Sequence, residues 1–286
     1  MSKVALITVH GMGVTPPTYA DPLKAKLRHA LGASYADLTI EPVYYQELLQ
    51  ANELAVWRRV DEQSTVHYDD LRKFVLFGFG DAAGLETRKN EADSVYEQAQ
   101  QEIARAMLKI YRKCGSDCHV IFLTQSLGCQ VLSNYIYDGQ KKNKGGTVEA
   151  GIWRDLDHTR AVLGLDEAAM LPFLRAETCM AWVSTGCNIP VFVASHKTMN
   201  IKPIQRPNGS PTFKWLNMYD PDDVLGWPLQ PLSPEYHELV EDRAINAGQG
   251  ATGWILKSWN PMAHTAYWTD DDVVKPLADL LRGLLV

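Results

Sequence analysis

The first residue in this sequence that could perform chemistry is the serine of LTQSLGCQ, residues 123–130. Ser126 stands between an apolar run that predicts a strand, 119–124, and apolar spacing that predicts a helix over 127–137. A sharp strand-to-helix turn would expose its Oγ at the carboxyl edge of a sheet. The turn would also aim the N–H of the next residue, Leu127, at a developing oxyanion. We therefore predict that Ser126 is a nucleophile and that Leu127 donates to an oxyanion hole.

The residues two positions before and after Ser126 bear on this prediction, because such a turn is tight. Gly128 meets the need for a small residue, whereas Thr124 departs from the usual G-x-S-x-G pattern. A β-branched residue at that position must be fitted by local packing. The alternative that the serine lies in an ordinary turn stays open, since many S-x-G triplets do.

The sequence HGMG, residues 10–13, follows the first predicted strand, Val4 to Val9. A second oxyanion donor must come from a loop after an early strand at the same sheet edge. We expect the N–H of Met12 to be that donor, and Gly11 and Gln125 to contact the substrate. A plain turn or a weak phosphate loop is the alternative. However, the run lacks the third glycine of a dinucleotide fingerprint and the lysine of a P-loop.

A serine nucleophile needs an acid and a base, in the chain order Ser, Asp, His for this type of site. A predicted strand over 214–219 runs into an acid-rich turn that contains Asp220, Asp222 and Asp223. An acid there could orient an imidazole and stabilise its charged form. Aspartate and proline also favour turns for local reasons, so at least two of the three are not catalytic.

The base is predicted to be His264, which follows the predicted strand over 254–259 and precedes a closing helix. His196 is a weaker choice because it precedes the acid in the chain. His237 is also weaker because it lies in a stretch, 234–243, whose pattern indicates a helix.

The composition argues against several classes of function. A net charge of −6 over 286 residues disfavours binding to nucleic acid, which needs clustered Lys and Arg. No apolar stretch reaches the ~18 residues of a membrane span, and no signal peptide is recognised. We therefore expect a cytoplasmic protein with five free thiols. Cys114 and Cys118 are spaced like metal ligands, but no second pair follows, and we predict neither a metal nor a cofactor.

Strand patterns alternate with helix patterns along the chain, which indicates a mostly parallel sheet and an α/β fold. We find no linker that would separate two domains, and we predict one domain over 1–286. The intervals 46–90, 139–178 and 188–212 are too long for simple connections. We expect one or more of them to form a cap or lid.

Together these residues resemble the α/β-hydrolase superfamily of serine esterases and lipases, over nearly the whole chain. The stretch NMYDPDDVLGWPLQPL resembles the N-x-Y-x-P-x-D-P-V-A-Y-R-x-E-P-L segment of DDHD-domain phospholipases, and HTAYW resembles that family's H-x-x-Y-W. Asn217, Tyr219 and Pro221 fall on matching positions. The resemblance places the family's catalytic aspartate on Asp223 and supports His264 as the base.

The sequence departs from that family at several positions, and three of them bear on the proposed site. Val224 stands where the family has proline, Thr124 replaces the first glycine of the serine turn, and Gln125 replaces a histidine. The resemblance implies a hydrolase of small-molecule esters or lipids that forms an acyl-serine. A thioesterase or an amidase with the same triad remains open, as does an inactive scaffold that binds a small molecule or a protein. Acyl chain length and oligomeric state are not encoded in these motifs.

Overall fold

A computed structural model of the protein describes residues 3–165, 168–199, 201–247 and 267–285. These residues contain a six-stranded sheet in which neighbouring strands all pair in parallel. The spatial order is β2-β1-β3-β4-β5-β6. The strands are β1 (Val4–Val9), β2 (Leu38–Val43), β3 (His119–Gln125), β4 (Cys179–Thr185), β5 (Lys214–Tyr219) and β6 (Val240–Ala244). The predicted α/β fold with a parallel central sheet is confirmed.

Helices connect the strands, as parallel pairing requires. Within the described residues they are α1 (Asp21–Leu31), α2 (Gln46–Gln63), α3 (Asp69–Glu86), α4 (Val95–Cys114), α5 (Leu127–Asn143), α6 (Leu156–Leu163), α7 (Leu171–Leu174), α8 (Ile189–Val193), α9 (Pro234–Leu239) and α10 (Asp271–Leu284). Short 3₁₀ turns lie between several of them.

The sheet separates two apolar core regions, because successive residues of a strand point to opposite faces. On one face, Leu6 and Ile121 pack with the apolar sides of α1 and α10. On the other face, Ile7 and Phe122 pack with α4 and α5. Strand β3 is buried from Val120 onward, as expected for a strand covered on both sides.

Parallel pairing brings the three segments with predicted functional residues to one edge of the sheet. The HGMG sequence follows β1, Ser126 follows β3, and the acid-rich turn follows β5. Strand β1 is the neighbour of β3, and only β4 separates β3 from β5. The three segments therefore lie near one another at the carboxyl edge of the sheet.

The predicted helix over 234–243 is wrong in its second half. Helix α9 ends at Leu239, and the next five residues form the edge strand β6. Only Val240 of that strand is buried, so the strand lacks the apolar run by which the others were found. The predicted strand over 254–259 lies outside the described residues.

The first of the three long intervals, 46–90, contains α2 and α3, which pack against each other and against α4. The second contains the end of α5 with α6 and α7, and the third contains α8. The assignment of these intervals to a cap and of the whole chain to one domain stays a prediction. None of the helices in the described part of the chain combines the length and the apolar character needed to cross a membrane.

Candidate active site

The serine turn between β3 and α5 has a strained backbone. Ser126 lies at φ 51° and ψ −123°, a conformation that residues other than glycine rarely adopt. Its N–H donates to the carbonyl oxygen of Thr185 on β4, at 3.0 Å. Strain of this kind costs about 1–3 kcal/mol and persists where surrounding contacts fix it. The buried Oγ of Ser126 has no hydrogen-bond partner among the described residues.

The first turn of α5 lies against the end of β1, and Gly128 makes this approach possible. A Cβ at this position would lie 2.4 Å from the carbonyl oxygen of His10 and 2.6 Å from that of Val9. Both atoms belong to the backbone and cannot rotate away. The predicted need for a small residue two positions after the serine is confirmed.

Thr124, two positions before the serine, is accommodated by hydrogen bonds. Its hydroxyl accepts from the indole N–H of Trp182 at 2.8 Å and donates to Sγ of Cys129 at 3.1 Å. Trp182 in turn stacks on Trp215, with ring centroids 3.9 Å apart. The side chain that departs from the usual glycine thus ties the serine turn to β4.

The loop formed by HGMG lies directly beside the serine. A Cβ at Gly11 would lie 2.7 Å from Cβ of Ser126 and 3.0 Å from the carbonyl oxygen of Gln125. Met12, the predicted oxyanion donor, is therefore the next residue after the contact point. Leu127 begins α5, and the first N–H groups of a helix have no partner within it.

His10 fixes the start of this loop and is fully enclosed. Its Nδ1 lies 2.8 Å from the carbonyl oxygen of Gly11, and its Nε2 accepts from the N–H of Tyr45 at 3.1 Å. These contacts require a neutral ring with the proton on Nδ1. The rings of His10 and Tyr45 stack, and the Tyr45 hydroxyl donates to the His10 carbonyl oxygen. Burial lowers the pKa of His10 to about 4, which suits a structural group.

The three aspartates after β5 have different surroundings, and Asp223 is one of two that are buried. It is buried, and its Oδ2 accepts from the hydroxyl of Tyr267 at 2.9 Å. Its Oδ1 accepts from the N–H of Leu225 at 3.0 Å. Gly226 allows the turn to close, because a Cβ there would lie 2.7 Å from Oδ2 of Asp223.

The other two aspartates serve the turn itself or face solvent. Asp220 is buried, but its Oδ1 accepts from the N–H of Asp222 and its Oδ2 from the N–H of Ala247, both at 2.8 Å. Burial raises the pKa of Asp220. Asp222 is exposed. Tyr267 joins the two buried acids, since its hydroxyl accepts from the N–H of Asp220 and donates to Asp223.

His264, the predicted base, lies outside the described residues. Among the histidines that the structure does describe, neither rival gains support. His196 is exposed after α8. His237 is exposed on α9, which leads into the amino end of β6 at the opposite edge of the sheet. Both ring nitrogens of His10 are engaged by backbone groups.

A cleft of about 800 Å³ opens above Ser126 and Gln125. Helix α3 contributes Phe74, Phe77 and Lys73 to its wall. The remaining lining consists of the HGMG loop and the residues that follow it, part of 18–22, and Trp268 with Thr269. The cleft thus combines aromatic walls with the polar edge of the sheet. Gly11 and Met12 line it as well, next to the serine.

A group of possible metal ligands lies elsewhere. Asp93, Glu97 and His158 meet near the start of α4, and none of them lines the cleft. Glu97 is also paired with the guanidinium of Arg154, at 3.4 Å. All five cysteines are free.

Two residues of the site were not identified from the sequence. Tyr267 belongs to the HTAYW stretch, so the family pattern contained the signal for it although only the histidine was used. Asp81, in the middle of α3, accepts from the N–H of Gly13 at 2.8 Å. A single acid within a helix has no characteristic spacing that could have indicated this contact.

No protein-family model matches the chain, and no curated protein is significantly similar to it. Solved structures of acetyl xylan esterases are among those that show a weak likeness. An acetyl xylan esterase at 0.90 Å resolution has a TM-score of 0.43 at 10% identity, covering 100% of this chain and 99% of that one. An iodinated complex of acetyl xylan esterase has a TM-score of 0.42 at 10% identity and covers 100% of both chains. The catalytic core domain of acetyl xylan esterase from Trichoderma reesei has a TM-score of 0.41 at 12% identity, covering 99% and 98%. At values this low, the likeness says nothing about the activity of this chain.

Replacing Gly128 by alanine should destabilise the protein, because the new methyl group would press on two backbone carbonyls of the β1 end. We expect the free energy of unfolding to fall by about 1–3 kcal/mol in a urea titration. Gly283 is the matched control, a helical glycine with no atom within 4 Å of an added Cβ. Gly283→Ala should be neutral or slightly stabilising. Equal stability of the two variants would contradict the close approach described here.

His10 should remain neutral in the folded protein down to about pH 5. Its folded pKa is about 4, below the ordinary 6.5, so only the unfolded chain takes up a proton between these values. Stability should therefore decrease as pH falls from 6.5 to 4, by on the order of 3 kcal/mol from this group. The Cε1 proton resonance of His10 in NMR and unfolding titrations across this range test the prediction. The control variant His29→Asn, at an exposed position, should lose as much stability between pH 6.5 and pH 4 as the wild type does. Titration of His10 near pH 6.5 in the folded protein would contradict the prediction.

Proposed function

We propose that this protein is a serine hydrolase that cleaves carboxylic esters through an acyl-serine intermediate. Ser126 attacks the ester carbonyl, and His264 takes the proton from its Oγ and later delivers it to the leaving alcohol. Asp223 orients the imidazole and stabilises its charged form. The N–H groups of Met12 and Leu127 bind the oxyanion of the tetrahedral intermediate. Water then releases the acyl group.

The observation that carries this proposal is the strained backbone of Ser126 beneath an open cleft. A positive φ at a residue other than glycine, at the end of a central parallel strand, is typical of nucleophile elbows. Strain of this kind clusters at functional sites, where the surrounding contacts hold it. The contact of Gly11 with Ser126 supports the further role of the HGMG loop as the source of a backbone donor.

The surroundings of Asp223 support its role as the acid. It is buried at the same sheet edge as Ser126 and is held by the Tyr267 hydroxyl. His264 precedes Tyr267 by three residues, so their Cα atoms can be at most about 11 Å apart. The chain therefore returns close to Asp223 just after the proposed base.

The cleft supports an ester with an apolar acyl or alcohol group of moderate size. Gly11 and Gln125 line it beside the serine and are proposed to contact the substrate. Helix α3 covers one side with Phe74 and Phe77, and we propose that the interval 46–90 is the cap of a single catalytic domain. The proposal needs no metal or cofactor for these steps. All residues of the proposed mechanism belong to one chain, so the mechanism does not depend on the oligomeric state.

Thioesterase and amidase activities are the alternatives within the same mechanism, since they differ only in the leaving group. A phospholipid substrate is a third alternative, suggested by the resemblance of the NMYDPDD and HTAYW stretches. An inactive scaffold would differ by lacking a triad residue, and the sequence contains all three.

Ser126→Ala should abolish hydrolysis, with turnover of nitrophenyl esters falling by roughly 10⁶. A fluorophosphonate probe should label the wild-type protein at Ser126, as located by mass spectrometry. Ser133→Ala is the matched control, a buried serine on α5, the helix that follows Ser126, and it should leave both readouts unchanged. Thioester and amide analogues assayed alongside distinguish the alternatives. Ester hydrolysis that survives Ser126→Ala would end the proposal.

Asp223→Asn should preserve the fold but lower turnover by about 10⁴, because an amide favours the wrong imidazole tautomer. Asp222→Asn, on an exposed side chain in the same turn, should have little effect. Asp220→Asn should cost mainly stability, since its carboxylate holds the turn. The measurement is turnover together with the melting temperature of each variant. The assignment of the acid would be overturned if Asp222→Asn lowered turnover strongly while Asp223→Asn lowered it only slightly.

A further inference from the structure

Helix α3 contacts the HGMG loop at two successive residues. Oδ2 of Asp81 accepts from the N–H of Gly13 at 2.8 Å. Gly78, one turn earlier on the same face, lies against Met12, since a Cβ there would be 2.7 Å from its Sδ. The helix thus contacts the side chain of one loop residue and the backbone of the next.

Helix α2 packs against α3 with a row of buried polar residues. Gln46, Gln50 and Glu53 are buried on one side of α2, at the spacing i, i+4 and i+7. The two helices meet closely, because a Cβ at Gly80 would lie 2.1 Å from Oε1 of Glu53. Burying polar groups is unfavourable unless they interact with one another. The side chain of Glu53 lies against Gly80, next to Asp81, whereas Oδ1 of Asp81 and the amide nitrogen of Gln50 have no hydrogen-bond partner among the described residues.

The two buried acids do not ionise together. Burial raises the pKa of Asp81, while the N–H of Gly13 and its neighbours on α2 oppose that rise. Burial also raises the pKa of Glu53, and the adjacent charge of Asp81 raises it further. Glu53 therefore keeps its proton when Asp81 has lost its own. The negative charge of the pair then lies on Asp81, whose Oδ2 accepts from the N–H of Gly13.

We propose that Asp81 is a positioning residue for the oxyanion hole, acting through its hydrogen bond to the N–H of Gly13. Gly13 has a φ of 85° and Gly11 has no side chain, so the loop has little stiffness of its own. A hydrogen bond at the N–H of Gly13 fixes the peptide plane that joins it to Met12. The Met12 N–H, the donor of the proposed function on which this inference rests, belongs to the peptide plane on the other side of the Met12 Cα. The Gly11 carbonyl oxygen in that plane accepts from Nδ1 of His10. Because both planes that flank Met12 are held, its N–H is restrained. Asp81 itself does not touch the reacting atoms in this role.

Two substitutions at Asp81 test the proposal. Asp81→Asn keeps a carbonyl oxygen that can accept from Gly13 and should retain kcat within about fivefold. Asp81→Ala removes the acceptor and should lower kcat roughly 10²-fold, with KM changed less than about threefold, as for a misplaced catalytic group. Amide hydrogen exchange at Gly13, measured by NMR, should be slow in the wild type and in Asp81→Asn but fast in Asp81→Ala.

The control is Asp138→Ala on α5, which removes another acid whose pKa burial raises to about 6. This acid accepts from Tyr96, outside the cleft, so kcat and Gly13 exchange should not change. Wild-type kcat and slow Gly13 exchange in a folded Asp81→Ala protein would overturn the inference, as would equal damage in Asp81→Asn. If Asp81→Ala fails to fold, Asp81→Leu, which also removes the acceptor but fills the buried space, is compared with Asp81→Asn in the same way. If the wild type hydrolyses no ester, the proposed function fails, while Gly13 exchange still tests the positioning role.

Discussion

The close contact between the end of β1 and the start of α5 is the constraint on which the candidate site depends. Two glycines make it possible from opposite sides. Gly128 lets the helix rest on the carbonyl groups of Val9 and His10, and Gly11 lets the following loop rest on Ser126. Because strands β1 and β3 are neighbours in the sheet, this contact also sets the distance between the serine and the loop. A side chain at either position would separate the two groups that the proposed mechanism needs together.

Buried hydrogen bonds of polar side chains hold the loops around this contact in place. His10 is enclosed by Tyr45, Asp81 reaches Gly13 from α3, and Tyr267 connects Asp220 with Asp223. Each interaction links a loop at the sheet edge to an element from elsewhere in the chain. A loop that is rich in glycine or aspartate cannot maintain one shape by its own packing. Buried hydrogen bonds supply the missing rigidity, since breaking one leaves a desolvated group unpaired.

Much of the fold could be predicted because its signals are local. Apolar runs marked the central strands, and the tight turn at Ser126 required a small residue that the sequence provides at Gly128. Strand β6 was missed because it is an edge strand with a single buried residue, Val240. Its other residues are mostly polar, which is equally typical of the exposed side of a helix. The choice among the three aspartates depended on a family pattern, because the end of a strand is imprecise when read from sequence and two of the three carboxyl groups are buried. Asp81 was beyond reach because its partner, Gly13, is distant in the chain and the contact depends on how two helices pack.

The position of β1 between β2 and β3 has a consequence for how the protein is made. Strand β2 follows β1 by about thirty residues, but β3, its other neighbour, is more than a hundred residues away in the chain. During synthesis from the amino terminus, one edge of β1 must therefore wait, unpaired, until α4 and β3 have emerged from the ribosome. Contacts of such long sequence separation form slowly, and an exposed apolar strand edge invites association with other chains in the meantime. The same arrangement means that a nascent chain which ends before β3 lacks the serine turn. The contact between that turn and the HGMG loop can form only after β3 and the start of α5 have emerged.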